Sequence, residues 1–354
     1  MALSSQFLAS PQFKLVLLVG MVLQNSATVL VGRYSRSSVP AEELYVVNHL
    51  IVVTEIGKLL LSCLFEYFTT NGQLIHSIKV NIIQKPYDAL KIMVPALLYL
   101  VQNTLLFVAL SNLTAPLFQV TYQGKLVTTA IVSVIMLKRT YSLQQWICLI
   151  VLSIGVAIVV LGESSSKKDA AEDETHEQSL AVGLLSVTVA CLSSALAGVY
   201  FEKVVKAAGP GGEKAKPVSV WMRNIQLAFF TIWTALLQGF WSGQKSIESE
   251  PKPYFHGFSR LVWTLVFLQA GGGLLVAAVI KYADNVLKGL ATGVSVCFAT
   301  AVSTVLFKTP LSPQFSLGAA MILSSVYLFS NPLKRKSASS TGSDNTEMKT
   351  MLPK

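Results

Sequence analysis

The chain has 354 residues, of which 52% are apolar and only 13% charged, about half the charge of a soluble domain. The charges cluster between apolar runs of about 20 residues, long enough to cross a bilayer, which excludes a soluble globular enzyme, a disordered chain and a disulfide-rich secreted module. The formal net charge of +10 suits the cytoplasmic loops of a polytopic membrane protein and does not by itself call for nucleic acid.

In chain order, the runs predict helical spans over 13–32, 44–68, 88–111, 115–137, 141–161, 179–206, 219–241, 260–282, 285–307 and 312–331. The first opens at Lys14 and continues into Gln24, Asn25 and Ser26 without a small-residue cleavage site. It reads as a membrane helix and not as a removed signal peptide. Pro86, Pro116 and Pro313 stand at span starts and Pro332 follows the last span; proline fits a first turn, where its missing N–H would be unpaired anyway. The fold class expected is therefore an all-α polytopic membrane protein with ten transmembrane helices.

Five spans precede the acidic and basic stretch 162–178 and five follow it. That divides the chain into an N-terminal cytoplasmic tail (1–12), a first five-helix repeat (13–161), a charged flexible loop (162–178), a second five-helix repeat (179–331) and a disordered basic cytoplasmic tail (332–354). An odd number of spans per half inverts the second half relative to the first. Similar short turns at 112–114 and 283–284 agree, as do the openings Ser142-Leu143-Gln144 and Ser312-Pro313-Gln314. With both termini cytoplasmic, that face collects most of the loop lysines and arginines, among them Lys138, Arg139, Lys206, Lys334, Arg335 and Lys336, as the positive-inside rule requires.

Ionisable groups inside spans are costly and mark candidate sites. Lys125 lies deep in the fourth span, and Phe118, Tyr122 and Lys125 share a helix face, an aromatic wall with an ammonium above it. Pairing of Lys125 with a buried carboxylate is the competing reading. Tyr99, Gln102 and Asn103 share a stripe of the third span, suited either to sugar hydroxyls or to interhelical hydrogen bonding. Lys288 falls on the first turn of the ninth span, where the helix dipole disfavours a cation unless an anion is near. Lys125 and Lys288 together would clamp a diphosphate; snorkelling of Lys288 to the interface competes.

Asn224 has the donor and acceptor needed to read a pyrimidine edge, whereas Arg223 is expected to snorkel to the headgroups. Glu55 and Lys58 are three apart, so an intrahelical ion pair competes with a gating or coupling role. Glu202 and Lys203 are expected at the interface. Cys63, Cys148, Cys191 and Cys297 all lie in apolar runs and read as small core residues. His49, His76, His176 and His256 make no metal-ligand spacing, and no CxxC, HExxH, Walker A or G-x-S-x-G pattern occurs. No catalytic residue, metal or cofactor is therefore expected. Gly271-Gly272-Gly273 follows no strand and reads as a place for close packing. Asn112-Leu113-Thr114 matches a glycosylation sequon but sits too close to the membrane for easy modification.

Several segments jointly resemble the nucleotide-sugar transporter family of the drug/metabolite transporter superfamily, over about residues 13–331. They are Ala109-Leu110-Ser111-Asn112-Leu113, Phe118-Gln119-Val120-Thr121-Tyr122-Gln123-Gly124-Lys125 and Gly198-Val199-Tyr200-Phe201-Glu202-Lys203. Trp221-Met222-Arg223-Asn224-Ile225-Gln226, Lys281-Tyr282-Ala283-Asp284-Asn285-Val286-Leu287-Lys288-Gly289, Thr54-Glu55-Ile56-Gly57-Lys58 and, after helix one, Arg33-Tyr34-Ser35-Arg36 complete the set. The resemblance implies two inverted five-helix repeats around a site that opens to either face in turn, exchanging a cytosolic nucleotide sugar for a lumenal nucleoside monophosphate. It implies phosphate contacts from Lys125 and Lys288, a base contact from Asn224, and sugar contacts from Tyr99, Gln102, Asn103, Gln119 and Tyr122.

Ala283-Asp284-Asn285-Val286-Leu287-Lys288-Gly289 with Leu290-Ala291-Thr292 is similar to the UDP-galactose and UDP-N-acetylglucosamine members. Gly124 departs from the family, where a leucine is usual, and Phe118, Ala228 and Phe230 depart from the sialic acid carriers. UDP-galactose is the favoured cargo, exchanged for UMP, with UDP-N-acetylglucosamine next; CMP-sialic acid/CMP exchange and drug or metabolite export are the alternatives. The resemblance places the chain in the Golgi membrane. Its partners are then the lipid bilayer and the nucleotides, with a homo-oligomer or Golgi glycosyltransferases as further candidates.

Overall fold

The computed structural model describes residues 10–37, 39–40, 43–165, 179–207, 218–243, 253–307 and 312–331. The expected tail 332–354 and most of the tail 1–12 and loop 162–178 lie outside them. The described residues are all-helical, with no strand. In order they form α1 (Pro11–Ser37), α2 (Val47–Thr69), α3 (Leu74–Ile78), a π-helical turn (Lys79–Ile83), α4 (Pro86–Leu90), α5 (Met93–Asn112) and α6 (Ala115–Tyr122). Then follow α7 (Gly124–Leu137), α8 (Leu143–Ser165), α9 (Leu180–Lys206), α10 (Val220–Gly243), α11 (Arg260–Tyr282), α12 (Asn285–Phe307) and α13 (Pro313–Ser330).

Every expected span coincides with helix, but several ends differ for local reasons. The first helix runs to Ser37, so Arg33, Tyr34, Ser35 and Arg36 form its end and do not follow it. The third span is interrupted: Pro86 opens the short α4, and α5 starts only at Met93. The fourth is divided at Gln123 into α6 and α7. Residues 74–83, for which no span is expected, are helical on their own. The fifth helix continues to Ser165, into the stretch assigned to a loop.

Among the described residues, seven helical stretches are long and apolar enough to cross a membrane, including Pro11–Arg36, Leu143–Gly162 and Arg260–Tyr282. The chain is thus a multi-pass membrane protein by its helices. Helices α2, α10 and α13 are not among the seven. Helices satisfy their backbone groups internally, which hydrocarbon demands. The outer surface matches, with Leu15 61%, Ile135 71% and Val305 79% exposed, a coat that water would not tolerate.

Packing joins distant helices. Helix α8 runs along α13, and α10 runs along α2 and touches α5. Helix α9 lies against α5, α6 and α7, while α1 lies against α11 and α12. The α8–α13 pair is close because both faces carry glycine. A Cβ on Gly155 would sit 3.0 Å from the Gly318 carbonyl oxygen, and one on Gly318 2.6 Å from that of Gly155. Around this pair Leu149, Leu152, Leu290 and Ile322 form the largest apolar cluster. Gly272 and Gly273 allow close packing: added Cβ atoms would meet the side chains of Gln24 on α1 at 2.1 Å and Lys58 on α2 at 2.6 Å. The four cysteines are free, three of them buried.

Candidate functional site

An open-sided cavity of about 920 Å³ lies between α6, α7, α8, α9 and α12. Its polar lining comes from Tyr122, Gln123, Lys125 and Thr129, from Ser153 and Ser194, and from Asn285, Lys288 and Thr292. No acidic side chain lines it.

Local sequence sets both lysines at helix starts. Gly124 weakens the fourth span, since glycine is a poor helix former. There Gln123 N–H bonds to the Val120 carbonyl at 3.1 Å and Leu126 N–H to that of Gln123 at 3.3 Å, a tightened turn that ends α6. Lys125 is thereby the second residue of α7. Its ammonium donates to the Tyr122 hydroxyl at 3.1 Å and lies 5.2 Å from that ring's centroid. Phe118 stacks on Tyr122 at 5.7 Å, so the expected aromatic wall is present. Lys288 stands in the first turn of α12, which Asp284 caps by accepting from Leu287 N–H at 2.7 Å. Neither lysine has an ion-pair partner among the described residues. The carboxylate pairing weighed for Lys125 is thus not seen among them.

The other sequence-selected residues divide. Tyr122 is in the cavity, and its hydroxyl also accepts from Gln102 at 3.4 Å. Gln102 is buried with its carbonyl oxygen unpartnered. Tyr99 and Gln119 are half-buried and do not line the cavity, and Asn103 is exposed. Asn224 is buried in α10, its side-chain amide nitrogen unpartnered, and also lies outside the cavity lining. Glu55 and Lys58 form the bland pair: Lys58 Nζ is 2.6 Å from Glu55 Oε2, and Thr231 donates to the same carboxylate at 2.5 Å.

Two charges read as interfacial from the sequence turn out buried and paired with residues remote in sequence. Arg223 does not snorkel; it is buried and its Nη2 donates to Asp88 Oδ2 at 2.7 Å, with Gln226 accepting from Nη1 at 3.0 Å. Glu202 is buried, 0% exposed, whereas its neighbour Lys203 is exposed. Glu202 accepts from Arg139 at 2.5 Å, from Lys206 at 2.8 Å and from the Asn285 N–H at 3.0 Å. Arg139 also reaches Asp284 at 2.8 Å, and Lys206 donates to the Ala283 carbonyl at 2.6 Å. This network ties α9, the α7–α8 turn and the start of α12 together at one end of the bundle, directly beside the cavity residue Asn285. A further carboxylate that sequence reading passed over, Glu66, is buried and accepts from Ser77 at 2.5 Å and from Ser219. Asn112, in the sequon, has its side chain engaged with Ser179 N–H at 3.2 Å and the Val108 carbonyl at 2.8 Å.

The bundle thus encloses an acid-free cavity into which two lysines without ion-pair partners among the described residues project. The chain belongs to the nucleotide-sugar transporter family: the model of that family, "Nucleotide-sugar transporter", matches residues 9–330. The UDP-galactose translocator of Mus musculus is 39% identical over 327 residues, covering 92% of this chain and 80% of that protein. The UDP-N-acetylglucosamine/UDP-N-acetylgalactosamine transporter nstp-4 of Caenorhabditis elegans is 38% identical, covering 92% of this chain and 95% of that protein. The UDP-N-acetylglucosamine transporter of Canis lupus familiaris is 39% identical, covering 87% and 92%. One protein of known crystal structure superposes with a TM-score of 0.61 at 13% identity, over 91% of this chain and 97% of its own; at that identity the likeness concerns fold alone.

Proposed function

We propose that this protein is a carrier, not an enzyme, that moves a UDP-sugar from the cytosol into the Golgi lumen in exchange for UMP by alternating access. UDP-galactose is the favoured cargo and UDP-N-acetylglucosamine the next. The observation that carries the reading is the acid-free cavity holding Lys125 and Lys288 without a protein counter-ion. A nucleotide diphosphate supplies the missing charge. The relatives named for UDP-galactose and UDP-N-acetylglucosamine support the choice of UDP over CMP.

In this reading the chain spans the membrane ten times, with α6 and α7 forming one span and both termini cytoplasmic. Its halves are inverted repeats. The packing supports a repeat, because stepping each span on by five maps α9 on α5 and α7 to α1 on α11 and α12. It likewise maps α10 on α5 to α2 on α11. In this reading the Glu202 network is a closure at the cytoplasmic end of the cavity.

Exchange follows from electrostatics. With the site empty, closing both ends would desolvate two ammonium groups that repel each other. A bound diphosphate or monophosphate removes that cost, so the loaded carrier reorients and the empty one does not. Lys125 and Lys288 hold the phosphates, Tyr122 lies beside them, Asn224 reads the base, and Tyr99, Gln102, Asn103 and Gln119 serve the sugar end. Glu55 and Lys58, beyond their ion pair, serve gating or coupling. Proteoliposomes loaded with labelled UMP and challenged with a panel of nucleotide sugars test the cargo: UDP-galactose should drive the fastest efflux. Faster efflux with CMP-sialic acid would overturn the choice of base.

A further inference from the structure

A second basic cavity lies away from the Lys125–Lys288 site. It is open-sided, about 690 Å³, and is lined by Asp88, Lys91, Tyr200, Lys203, Val204, Ala207 and Arg223. Three cations thus face one carboxylate. Asp88 is already shared: Lys91 Nζ lies 3.2 Å and Arg223 Nη2 2.7 Å from its oxygens. Lys203 has no ion-pair partner among the described residues. Arg223 is only 3% exposed, and its Nε is a buried donor without a hydrogen-bond partner. A buried unsatisfied guanidinium N–H costs free energy unless an acceptor arrives.

The cavity's depth and rim select the acceptor. Lys91 precedes α5, Lys203 lies in the last turn of α9 and Arg223 in the first turn of α10. All three therefore stand at one end of the bundle, at the level of the headgroups and on the face that carries Lys206. Beside them Tyr87 is 85%, Leu90 44% and Leu97 44% exposed. These are apolar surfaces that acyl chains would cover. An anion with two acyl chains meets both requirements, and a free anion meets only the first.

We propose that this cavity is a binding site for a phosphomonoester, supplied by an anionic phospholipid headgroup lying between α4, α9 and α10. Lys203 supplies the unpaired charge and Arg223 Nε the buried donor. Basic pockets between membrane helices are suited to such headgroups. The site is independent of the transport reading and needs no knowledge of the cargo.

The test uses the full chain in detergent, with native mass spectrometry reading retained lipid. Phosphatidic acid, phosphatidylcholine and inorganic phosphate are the probes. The wild type should retain one phosphatidic acid and no phosphatidylcholine. Lys203→Gln should weaken retention about tenfold, the effect of one charge-assisted hydrogen bond, and Lys203→Arg should restore it. Melting temperature without ligand checks that Lys203→Gln folds. Equal retention in the wild type and Lys203→Gln, or equal retention of phosphatidylcholine, would overturn the site. Displacement of the lipid by inorganic phosphate at matched concentration would overturn the lipid as its source.

Discussion

Two sets of lysines inside the bundle meet opposite fates. Lys58 is bound to Glu55 at 2.6 Å, and Thr231 satisfies the same carboxylate. Lys125 and Lys288 line a cavity with no acid at all. The first set is a closed account of charge, whose removal as a pair should cost little. The second is an imbalance, which only a ligand corrects. The contrast separates charge that serves architecture from charge that serves binding, although all three residues are equally conspicuous in the sequence.

The largest expected effect sharpens this contrast. Lys125→Ala or Lys288→Ala should lower UDP-galactose/UMP exchange by about 10- to 100-fold, the worth of a charge-assisted contact. Melting temperature should change little, since neither lysine has an internal ion partner to strand. Glu55→Gln should behave the other way: it strands Lys58 and should cost about 3 kcal/mol of stability, whereas Glu55→Gln with Lys58→Met should cost less than either single change. Denaturation of the purified variants distinguishes the two. If the double variant were the least stable, the pair would be doing more than neutralising itself.

Glu202→Gln should have the next effect. It removes the charge that Arg139 and Lys206 share and loosens the end of the bundle closed beside Asn285. Ser194→Cys, in a background lacking Cys63, Cys148, Cys191 and Cys297, reports this. A thiol reagent added from the side bearing Arg139 should label it several-fold faster with Glu202→Gln, and unchanged labelling would remove Glu202 from the closure. Gly198→Ala should act more mildly. Its Cβ would lie 2.5 Å from the Asn285 amide, and the overpacking should cost about 1–3 kcal/mol. The smallest effect is expected at Asn103. It is exposed, so Asn103→Ala should change stability by less than about 0.5 kcal/mol, and its effect on sugar selectivity decides whether the site extends that far.

The helices were legible because each apolar run has the length of a membrane and satisfies its own backbone. Lys125, Lys288 and Tyr122 were legible for a related reason: a charge or phenol deep in such a run stands out against its neighbours. The interruption at Gln123 was not foreseen, because Gly124 weakens a helix without announcing where it yields. The charge networks were hidden by distance along the chain. Asp88 and Arg223 are 135 residues apart and Arg139 and Glu202 63, so Arg223 and Glu202 alone looked like interfacial charges. Glu66 was missed because its partners are Ser77 and Ser219, residues with no charge to suggest the match.

Counterflow tests the central claim most directly. Proteoliposomes containing the full chain are loaded with UMP or left empty, and uptake of labelled UDP-galactose is followed in each. If the two lysines forbid reorientation of the empty carrier, internal UMP should accelerate uptake many-fold, and Lys125→Ala should abolish the acceleration. Equal uptake into loaded and empty vesicles, or full acceleration with Lys125→Ala, would contradict it.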